Sequence, residues 1–464
     1  MESQQKPLVK ENKNVNAEPQ KVGNDADIGY NEQGYLDRNR NGYSGRGSGL
    51  NLKDLRTFTS FKNPVFRLYY GAMMGQMAAM NMQMVARALL VYELTGSATA
   101  LGAMALGNSM PMLFFSLYGG VIADRVEKKH VLWWGQIASA VIAFATALLL
   151  ISGVMSEDKP GSWLWLIVAA LGQGTVMGLM MPSRQAMIAD IVGTEDLMNA
   201  VALNTFGMNA LRLLSPIPVG FIIYFYGFSA VYVVMTCMYL IAVAFITLMP
   251  KTGVASLKGR GAMKDVVDGL KYAWNEPTIF LVLVITFVVT LLSMPYMMLL
   301  PALTENVLNV DERGFGMLLS MSGVGAMLGS IVIASLPNRK RGLMLMCGSA
   351  LCGLALTGLF FVDSLFPSNM WIWAMVFIFF VGIGQTARMT LGNTLIQYYV
   401  EDAYRGRVMS LLMMEFGLTS FGVFAAGVMT DMIGVQWSVG GLAIILTVFS
   451  VLAIIFIPSI RKLE

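Results

Sequence analysis

From residue 65 onwards the chain is a succession of apolar stretches, separated by short polar segments. Most of them are longer than the roughly 18 residues that mark a membrane-spanning helix, and a backbone in lipid must satisfy its own hydrogen bonds. A transmembrane barrel would instead show short segments of alternating polarity, and none are visible. The sequence therefore predicts an all-α membrane protein.

The apolar stretches form two sets of six, on either side of a basic segment at 251–277. The twelve predicted spans lie at 65–93, 98–123, 130–154, 162–182, 200–224, 228–249, 278–303, 314–336, 341–362, 370–392, 407–431 and 435–459. We therefore expect two pseudo-symmetric six-helix bundles, at 61–250 and 278–464. The segment between them is predicted to be a cytoplasmic linker whose amphipathic part lies on the membrane surface.

The first sixty residues are of a different kind. The segment 1–60 is rich in Asn, Gly, Gln, Lys and Asp, and has no apolar run before Leu50. Such a segment cannot bury enough surface to offset the entropy of ordering, so we predict a disordered cytoplasmic tail. Its role is either that of a solvated extension or that of a docking segment.

The two sets of spans repeat weakly. Gly-Gln-Gly at 172–174 is followed by Pro-Ser-Arg-Gln at 182–185, and Gly-Ile-Gly-Gln at 382–385 is followed by Ala-Arg at 387–388. A Glu-Asp pair comes after each of these segments, before the next span. Parallel repeats related by an axis along the membrane normal are typical of alternating-access transporters.

Composition excludes several other classes of protein. Charged residues make up 13% of the chain, about half the share in soluble domains. The single histidine, His130, and the three cysteines, all in apolar segments, give no metal-ligand spacing and no His-assisted nucleophile. No phosphate-binding loop occurs, and the basic residues lie beside helix ends. We therefore expect no enzyme, no cofactor, no metal site and no nucleic-acid binding.

The basic residues also predict the orientation. With both termini in the cytoplasm, the opposite loops hold only Lys159 and Arg313. The cytoplasmic connections hold Arg125, Lys128, Lys129, Arg184, Lys251, Lys258, Arg260, Lys264, Lys271, Arg339, Lys340, Arg341, Arg405 and Arg407. This asymmetry is typical of a multi-pass protein of the cytoplasmic (inner) membrane with an even number of spans.

Five motifs stand at characteristic positions along the predicted helices. They are Leu-Val-Tyr-Glu-Leu-Thr-Gly-Ser at 90–97, Ala-Asp-Arg at 123–125, Pro-Ser-Arg-Gln-Ala at 182–186, Asn-Ala-Leu-Arg-Leu-Leu-Ser-Pro at 209–216 and Arg-Gly-Arg-Val-Met at 405–409. Together they resemble the transmembrane secretion effectors of the major facilitator superfamily, the branch with macrolide- and enterobactin-type exporters. The resemblance covers about residues 61–460 and implies the major facilitator fold.

Under this resemblance the loop after the second span is a gating motif, formed by Gly119, Asp124, Arg125 and Lys129. Gly119 and its neighbour Gly120 are expected to let helices two and eleven approach closely. Asp124 is expected to accept from helix N-terminal amides across the two halves, while the basic residues hold the loop at the anionic membrane surface. The alternative is that these charges serve topology alone.

A second motif lies in helix five, where Arg212, Pro216 and Gly220 resemble the glycine–proline motif associated with antiporters. This sequence departs from that motif, with Ser215 and Val219 where glycine is usual. The motif supports export, and the alternative is a purely structural kink.

Three ionisable residues, Arg87, Arg212 and Glu415, fall well inside predicted spans. Charges in lipid are costly and are expected to face a cavity or a partner. Glu415 is the candidate for a carboxyl group that exchanges protons during transport. The alternative is a static ion pair between Glu415 and an arginine of the other half.

Polar side chains within the spans are candidates for a central substrate cavity. They are Asn81, Gln83, Arg87, Gln173, Asn209 and Gln385. Hydrogen bonding between neighbouring helices is the alternative for the uncharged members of this set.

The sequence thus predicts a secondary active transporter in the lipid bilayer, a monomer that exports a hydrophobic or amphipathic small molecule in exchange for protons. Drug-, macrolide- and siderophore-like substrates all fit this prediction. Two alternatives stay open: a proton-coupled nutrient importer, and a non-transporting membrane receptor or assembly factor.

Overall fold

The structure is a computed structural model that describes residues 60–250, 262–336, 339–401 and 404–463. The predicted tail, apart from Ser60, and the linker residues 251–261 lie outside these ranges. The described residues are almost entirely helical, which confirms the predicted all-α class.

The first six predicted spans lie on five helices. These are α1 (Pro64–Thr95), α2 (Ala98–Arg125), α3 (Lys128–Ile151), α4 (Leu164–Leu214) and α5 (Pro216–Leu248). The predictions for spans one to three agree with α1 to α3 within a few residues. Spans four to six share α4 and α5, and the polar segment at 183–199 is helical on both sides of a break at Gly193.

Single glycines interrupt both of these long helices. Gly193 in α4 has φ 68° and ψ −173°, and Gly227 in α5 has φ 76° and ψ 175°. This region of backbone space is open almost exclusively to glycine. Gly227 therefore lies between the fifth and sixth predicted spans, where the sequence boundary at 224–228 predicts a turn.

The rest of the chain forms shorter helices as well as long ones. They are α6 (Ala262–Asn275), α7 (Pro277–Ser293), α8 (Pro295–Asn306), α9 (Glu312–Ser335), α10 (Arg341–Phe360), α11 (Val362–Leu365), α12 (Met370–Tyr399), α13 (Arg405–Ile433), α14 (Gly441–Phe456) and α15 (Pro458–Arg461). The seventh predicted span is divided between α7 and α8, because Pro295 cannot donate the hydrogen bond that would continue the helix.

The apolar length of these helices suits a bilayer. Within the described ranges, nine helical segments are long and apolar enough to cross a membrane, and one of them, Asn199–Leu248, has 50 residues. At about 1.5 Å per residue, that length suffices for two crossings of a core about 30 Å thick. α1 is not among the nine, and its middle carries Gln76, Asn81 and Gln83, as expected of a helix that faces the protein interior.

The helix contacts occur in equivalent pairs. α2 packs against α4 and also against α13, while α9 packs against α12 and also against α5. α2 in the first half and α9 in the second half thus each contact helices of both halves, as the predicted repeat requires. The division into bundles at 61–250 and 278–464 stays a prediction, which these contacts support.

Helix α6 connects the two halves along the chain. Its Tyr272 ring stacks on Tyr404 with a centroid distance of 4.1 Å. Val267, Leu270 and Trp274, spaced by three and four residues, are exposed. An exposed apolar stripe on a polar helix suits the predicted position on the membrane surface.

Candidate functional site

The molecule has two ends with different contacts. The basic end holds Asn63, before α1, and the Val126–Glu127 turn between α2 and α3. The closed end holds Gly96, after α1, and Gly434, after α13. The two halves of the chain meet closely at the closed end.

Asp431 of α13 binds the first turn of α2 at the closed end. Its carboxylate accepts from the Ser97 hydroxyl at 2.6 Å, from the Ala98 amide at 2.8 Å and from the Thr99 amide at 2.9 Å. The first amides of a helix have no partner within the helix and favour a negative charge. A carboxylate of the second half therefore caps a helix of the first half.

Two further contacts join the halves at this end. The Asn306 amide donates to the Tyr92 hydroxyl at 2.6 Å, and the Arg313 guanidinium lies 3.7 Å from the centre of the Tyr224 ring. Arg313 is held by Asp311, the residue before α9. Partial burial raises the pKa of Asp311, but hydrogen bonds from Arg313 and the Gly314 amide outweigh it and hold that pKa below its usual range.

The predicted helix-five motif forms a close contact between α5 and α9, which we call the α5–α9 seam and define by Pro216, Gly220, Glu312 and Gly316. A Cβ atom at Gly316 would lie 2.5 Å from the Pro216 carbonyl oxygen, and one at Gly220 would meet the Glu312 carbonyl. The small residues thus bring two backbones together, as expected for helices packed in a membrane.

Arg212 lies one turn before this seam. The carbonyl of the next residue, Leu213, accepts from the Ser320 hydroxyl of α9 at 2.9 Å. The Arg212 side chain is exposed and interacts electrostatically with Tyr296 of α8. Asn209, one turn earlier, is also exposed. Arg212 therefore faces the space between the two halves.

Glu415 is buried between α13 and α7. Its Oε1 atom accepts from the Thr286 hydroxyl at 2.8 Å. The arginine whose charge acts on Glu415 is Arg388 of α12, in the same half of the chain. Among the described residues Glu415 forms no ion pair with an arginine of the other half, and its role in transport stays a prediction.

Arg388 continues this polar network. Its guanidinium donates to the Thr290 hydroxyl, one turn from Thr286, and to Gln385 Oε1 at 3.1 and 3.2 Å. The Gln385 amide donates to the Ser293 carbonyl at 3.4 Å. Gln385 is buried, and its bond to Ser293 is an interhelical hydrogen bond of the kind that the alternative interpretation predicts, while its bonds with Arg388 lie within α12.

The first half of the chain holds a second group of polar side chains. Arg87 donates to Asn108 Oδ1 at 3.3 Å and interacts electrostatically with Tyr232. Gln173 donates to the Ser139 hydroxyl at 3.3 Å, which is again an interhelical bond.

Two further cavity candidates lie on α1, the helix that also carries Arg87. Asn81 donates to the Met77 carbonyl of its own helix at 2.8 Å, and Gln83 is buried. Of the six candidates, Asn209 has the most open side chain, and Arg87 and Asn81 are partly exposed.

One packing prediction for the gating motif is wrong. A Cβ atom at Gly119 would lie 2.6 Å from the Gly178 carbonyl of α4, so Gly119 serves the approach of α2 to α4 and not to helix eleven. The reason is that α2 packs on α4 along much of its length, from Gly107 to Gly119, while the glycines that face α13, such as Gly102, lie nearer the closed end. The Asp124 side chain lies outside the described part of the structure, and Arg125 is exposed.

Lys129 of the motif and its neighbour Lys128 bind other residues of the first half of the chain. Lys129 donates to the carbonyls of Thr247, at 3.0 Å, and Met249, where α5 ends. Lys128 is buried and forms an ion pair with Asp190 of α4 at 2.5 Å. These contacts satisfy the free carbonyls at a helix C-terminus and fix the loop to α4 and α5.

Sequence reasoning missed Arg388 and Asp431 as site residues. Arg388 lies near the predicted end of span ten at 392, but α12 continues to Tyr399, so the guanidinium is well inside the helix. An arginine within an apolar run was the available signal. Among the described residues, no group of three or more His, Cys, Asp or Glu side chains could hold a metal ion.

Solved structures of membrane transporters share this fold. A nucleoside transporter, NupG, superposes with a TM-score of 0.67 at 13% identity, covering 86% of this chain and 100% of that one. A D-xylose–proton symporter gives a TM-score of 0.65 at 13% identity, with 86% and 99% covered. The fold is therefore that of a major facilitator transporter, which confirms the fold that the resemblance implies.

Residues 55–464 match the family described as transmembrane secretion effector. The chain therefore belongs to this family of the major facilitator superfamily, and it is a transporter and not an enzyme. The staphyloferrin A transporter of Staphylococcus aureus is 24% identical over 355 residues, covering 73% of this chain and 83% of that protein. The enterobactin exporter EntS of Shigella boydii serotype 18 is 25% identical over 374 residues, covering 78% and 83%.

Proposed function

We propose that the protein is a proton-coupled exporter of a hydrophobic or amphipathic small molecule. The observation that carries the proposal is the carboxyl group of Glu415, buried beside Thr286 in the middle of the helices. Of the described carboxylates, Glu415 is the one that lies away from both ends of the molecule. An ionisable group in this position is expensive to bury and is typical of proton pathways in transporters.

Thr286 gives Glu415 two different bonding states. Its Oγ1 atom lies 2.8 Å from Glu415 Oε1 and 3.0 Å from the carbonyls of Val282 and Leu283. A carboxylate only accepts hydrogen bonds, so the single hydroxyl hydrogen of Thr286 then points to Glu415. The protonated acid donates instead, and the Thr286 hydroxyl turns to the carbonyls of its own helix. Proton uptake therefore changes the bond that joins α13 to α7.

Helix α13 connects this event to the closed end. It carries Glu415 in its middle and Asp431 near its end, where Asp431 binds the start of α2. A change in how α13 packs on α7 therefore acts on a contact between the two halves. Opening this end while the basic end closes is the step that alternating access requires.

The remaining assignments follow from this cycle. The basic end faces the cytoplasm, as do both termini, and the gating motif of Gly119, Asp124, Arg125 and Lys129 secures that end when the closed end opens. The cavity lies between the halves, beside Arg212, Asn209 and Asn81. The protein works as a monomer in the cytoplasmic membrane, and the enterobactin exporter among its relatives supports the outward direction.

The test is substrate movement in inside-out membrane vesicles, with and without an imposed pH gradient. The panel contains fluorescent amphiphiles, macrolides and siderophores. Glu415→Gln is expected to abolish gradient-driven accumulation, since an amide takes up no proton. Glu276→Gln is the matched control, because Glu276 is exposed and makes no capping bond at the start of α7.

Other outcomes favour the alternatives. Full gradient-driven transport by Glu415→Gln would exclude Glu415 as the coupling group. Proton-coupled movement in the opposite direction would indicate a nutrient importer. No movement of any compound would favour a membrane receptor or assembly factor that uses the segment at 1–60.

A further inference from the structure

The charges in the middle of the molecule do not balance. Arg87 and Arg388 lie well inside helices α1 and α12, and Arg212 lies in the last turn of α4, where Ser215 continues the chain in helical conformation into α5. Glu415 is the one described carboxylate at comparable distance from the ends of the molecule. Arg388 donates hydrogen bonds to Thr290 and Gln385, and the negative charge of Glu415 compensates its positive charge. The uncompensated positive charge in the interior therefore belongs to Arg87 and Arg212.

Arg212 has the more open position of the two. Among the described residues it has no hydrogen-bond or ion-pair partner, and its side chain is exposed. Arg87, by comparison, is partly exposed and donates to Asn108. A guanidinium offers five donors in a planar fork, so the Arg212 side chain has unused hydrogen-bonding capacity.

The space that Arg212 faces is not lipid. Its neighbour Leu213 binds Ser320 of α9, and a Cβ atom at Gly323 would lie 3.0 Å from the Leu213 Cα atom. Arg212 is also near enough to Tyr296 and Arg388 of the second half for its positive charge to act on both, the effect on Arg388 being repulsive. An exposed cation at this depth belongs in a cavity or beside a partner of opposite charge.

We propose that the transported molecule is an amphipathic anion whose acidic group pairs with Arg212 between the two halves. This inference rests on the proposed transport function and specifies its substrate class. An arginine fork matches the geometry of a carboxylate or sulfonate and binds it with two parallel hydrogen bonds. Arg87 adds positive potential to the same interior, so a neutral or cationic amphiphile gains less from entering it.

The test compares two probes that differ in charge alone, 4-(1-pyrene)butyrate and its neutral amide. Equilibrium binding is measured by fluorescence on the full chain in nanodiscs of zwitterionic lipid. We expect the unmodified protein to bind the carboxylate more tightly than the amide by roughly ten- to a hundredfold, the usual range for a hydrogen bond to a charged group. Arg212→Gln should remove this difference, and Arg212→Lys should retain part of it because the charge remains.

Arg67→Gln is the matched control, since Arg67 is exposed near the start of α1 and its loss removes one positive charge far from the interior. Unchanged binding of the amide shows that the Arg212→Gln protein is folded. If that variant does not fold, the ratio of the two probes on the unmodified protein decides alone. Equal binding of both probes by the unmodified protein, or equal weakening of both by Arg212→Gln, would overturn the proposal.

This binding measurement needs no proton gradient. A charge preference that depends on Arg212 therefore stands even if gradient-driven export fails. Conversely, gradient-driven export of the amide with no preference for the carboxylate would support the transport function and reject the anionic substrate.

Discussion

Glu415 and Arg388 act as one buried unit although no direct bond joins them. Thr286 binds the first and Thr290 binds the second, one turn apart on α7. Loss of either charge leaves the other buried without an opposite charge nearby, whereas loss of both leaves no buried charge to compensate. We expect Arg388→Gln and Glu415→Gln to be non-additive, with a coupling of about 0.5–3 kcal/mol. Unfolding of the two single variants and the double variant in mixed micelles measures this coupling, and strictly additive effects would contradict it.

The burial of Glu415 could be predicted from the sequence, whereas its partner could not. A lone carboxylate in an apolar stretch must lie inside the protein, and Glu415 does. Its hydrogen bond runs to Thr286, which is 129 positions away. Nothing in the spacing of α13 indicates which of several threonines on other helices faces it.

At the scale of helices, the α5–α9 seam depends on the absence of side chains. Gly316→Ala would add a methyl group 2.5 Å from the Pro216 carbonyl oxygen, so two helix backbones must separate. Overpacking of this kind costs about 1–3 kcal/mol. We expect the unfolding midpoint of Gly316→Ala to fall accordingly.

Gly441→Ala is the matched control for that change. A Cβ atom at Gly441 meets no other atom within 4 Å, and alanine is the better helix former by up to about 1 kcal/mol. This variant should therefore be as stable as the unmodified protein or slightly more stable. A similar loss in both variants would show that the seam tolerates the extra methyl group.

The helices themselves were largely predictable, because apolar length alone marks a membrane span. Errors occur where a polar sequence continues a helix. The fourth predicted span is extended through Arg184 and Asp190 up to the break at Gly193, since these charges lie at the basic end and not in lipid. The same effect carries α12 about two turns past its predicted end, which is why the sequence reasoning overlooked Arg388.

At the scale of the whole molecule, the closed end is held by three kinds of contact between the two halves. Close glycine contacts join α2 to α13 and α5 to α9, Arg313 lies on the Tyr224 ring, and Asp431 caps α2. The glycine contacts are fixed by shape, whereas the Asp431 bonds can be exchanged for bonds to water when the end opens. Asp431 is therefore the contact whose loss should change the balance of conformations most without unfolding the protein.

We expect Asp431→Ala to raise, at least about tenfold, the population of molecules in which the two halves are separated at the closed end. This rise is equivalent to a free-energy change of about 1.4 kcal/mol. The carboxylate accepts three hydrogen bonds, from the Ser97 hydroxyl and the amides of Ala98 and Thr99, and each is charge-assisted. Spin labels on Asp158→Cys and Ser364→Cys, one exposed position on each half, report the opening as a longer distance. The native cysteines Cys237 and Cys347, which are exposed, are first replaced by Ser.

Asp311→Ala separates this effect from the loss of any helix cap at the same end. Asp311 accepts from the Gly314 amide at 3.0 Å and from Arg313 at 2.8 Å, both in its own half. Its replacement should lower stability, since loss of an N-cap costs about 0.5–2 kcal/mol. Because it also releases Arg313, which lies on the Tyr224 ring of the other half, it should lengthen the distance between the labels less than Asp431→Ala does. If Asp431→Ala leaves that distance unchanged, the glycine, Asn306–Tyr92 and Arg313–Tyr224 contacts hold the closed end without Asp431, and opening does not begin with release of the carboxylate.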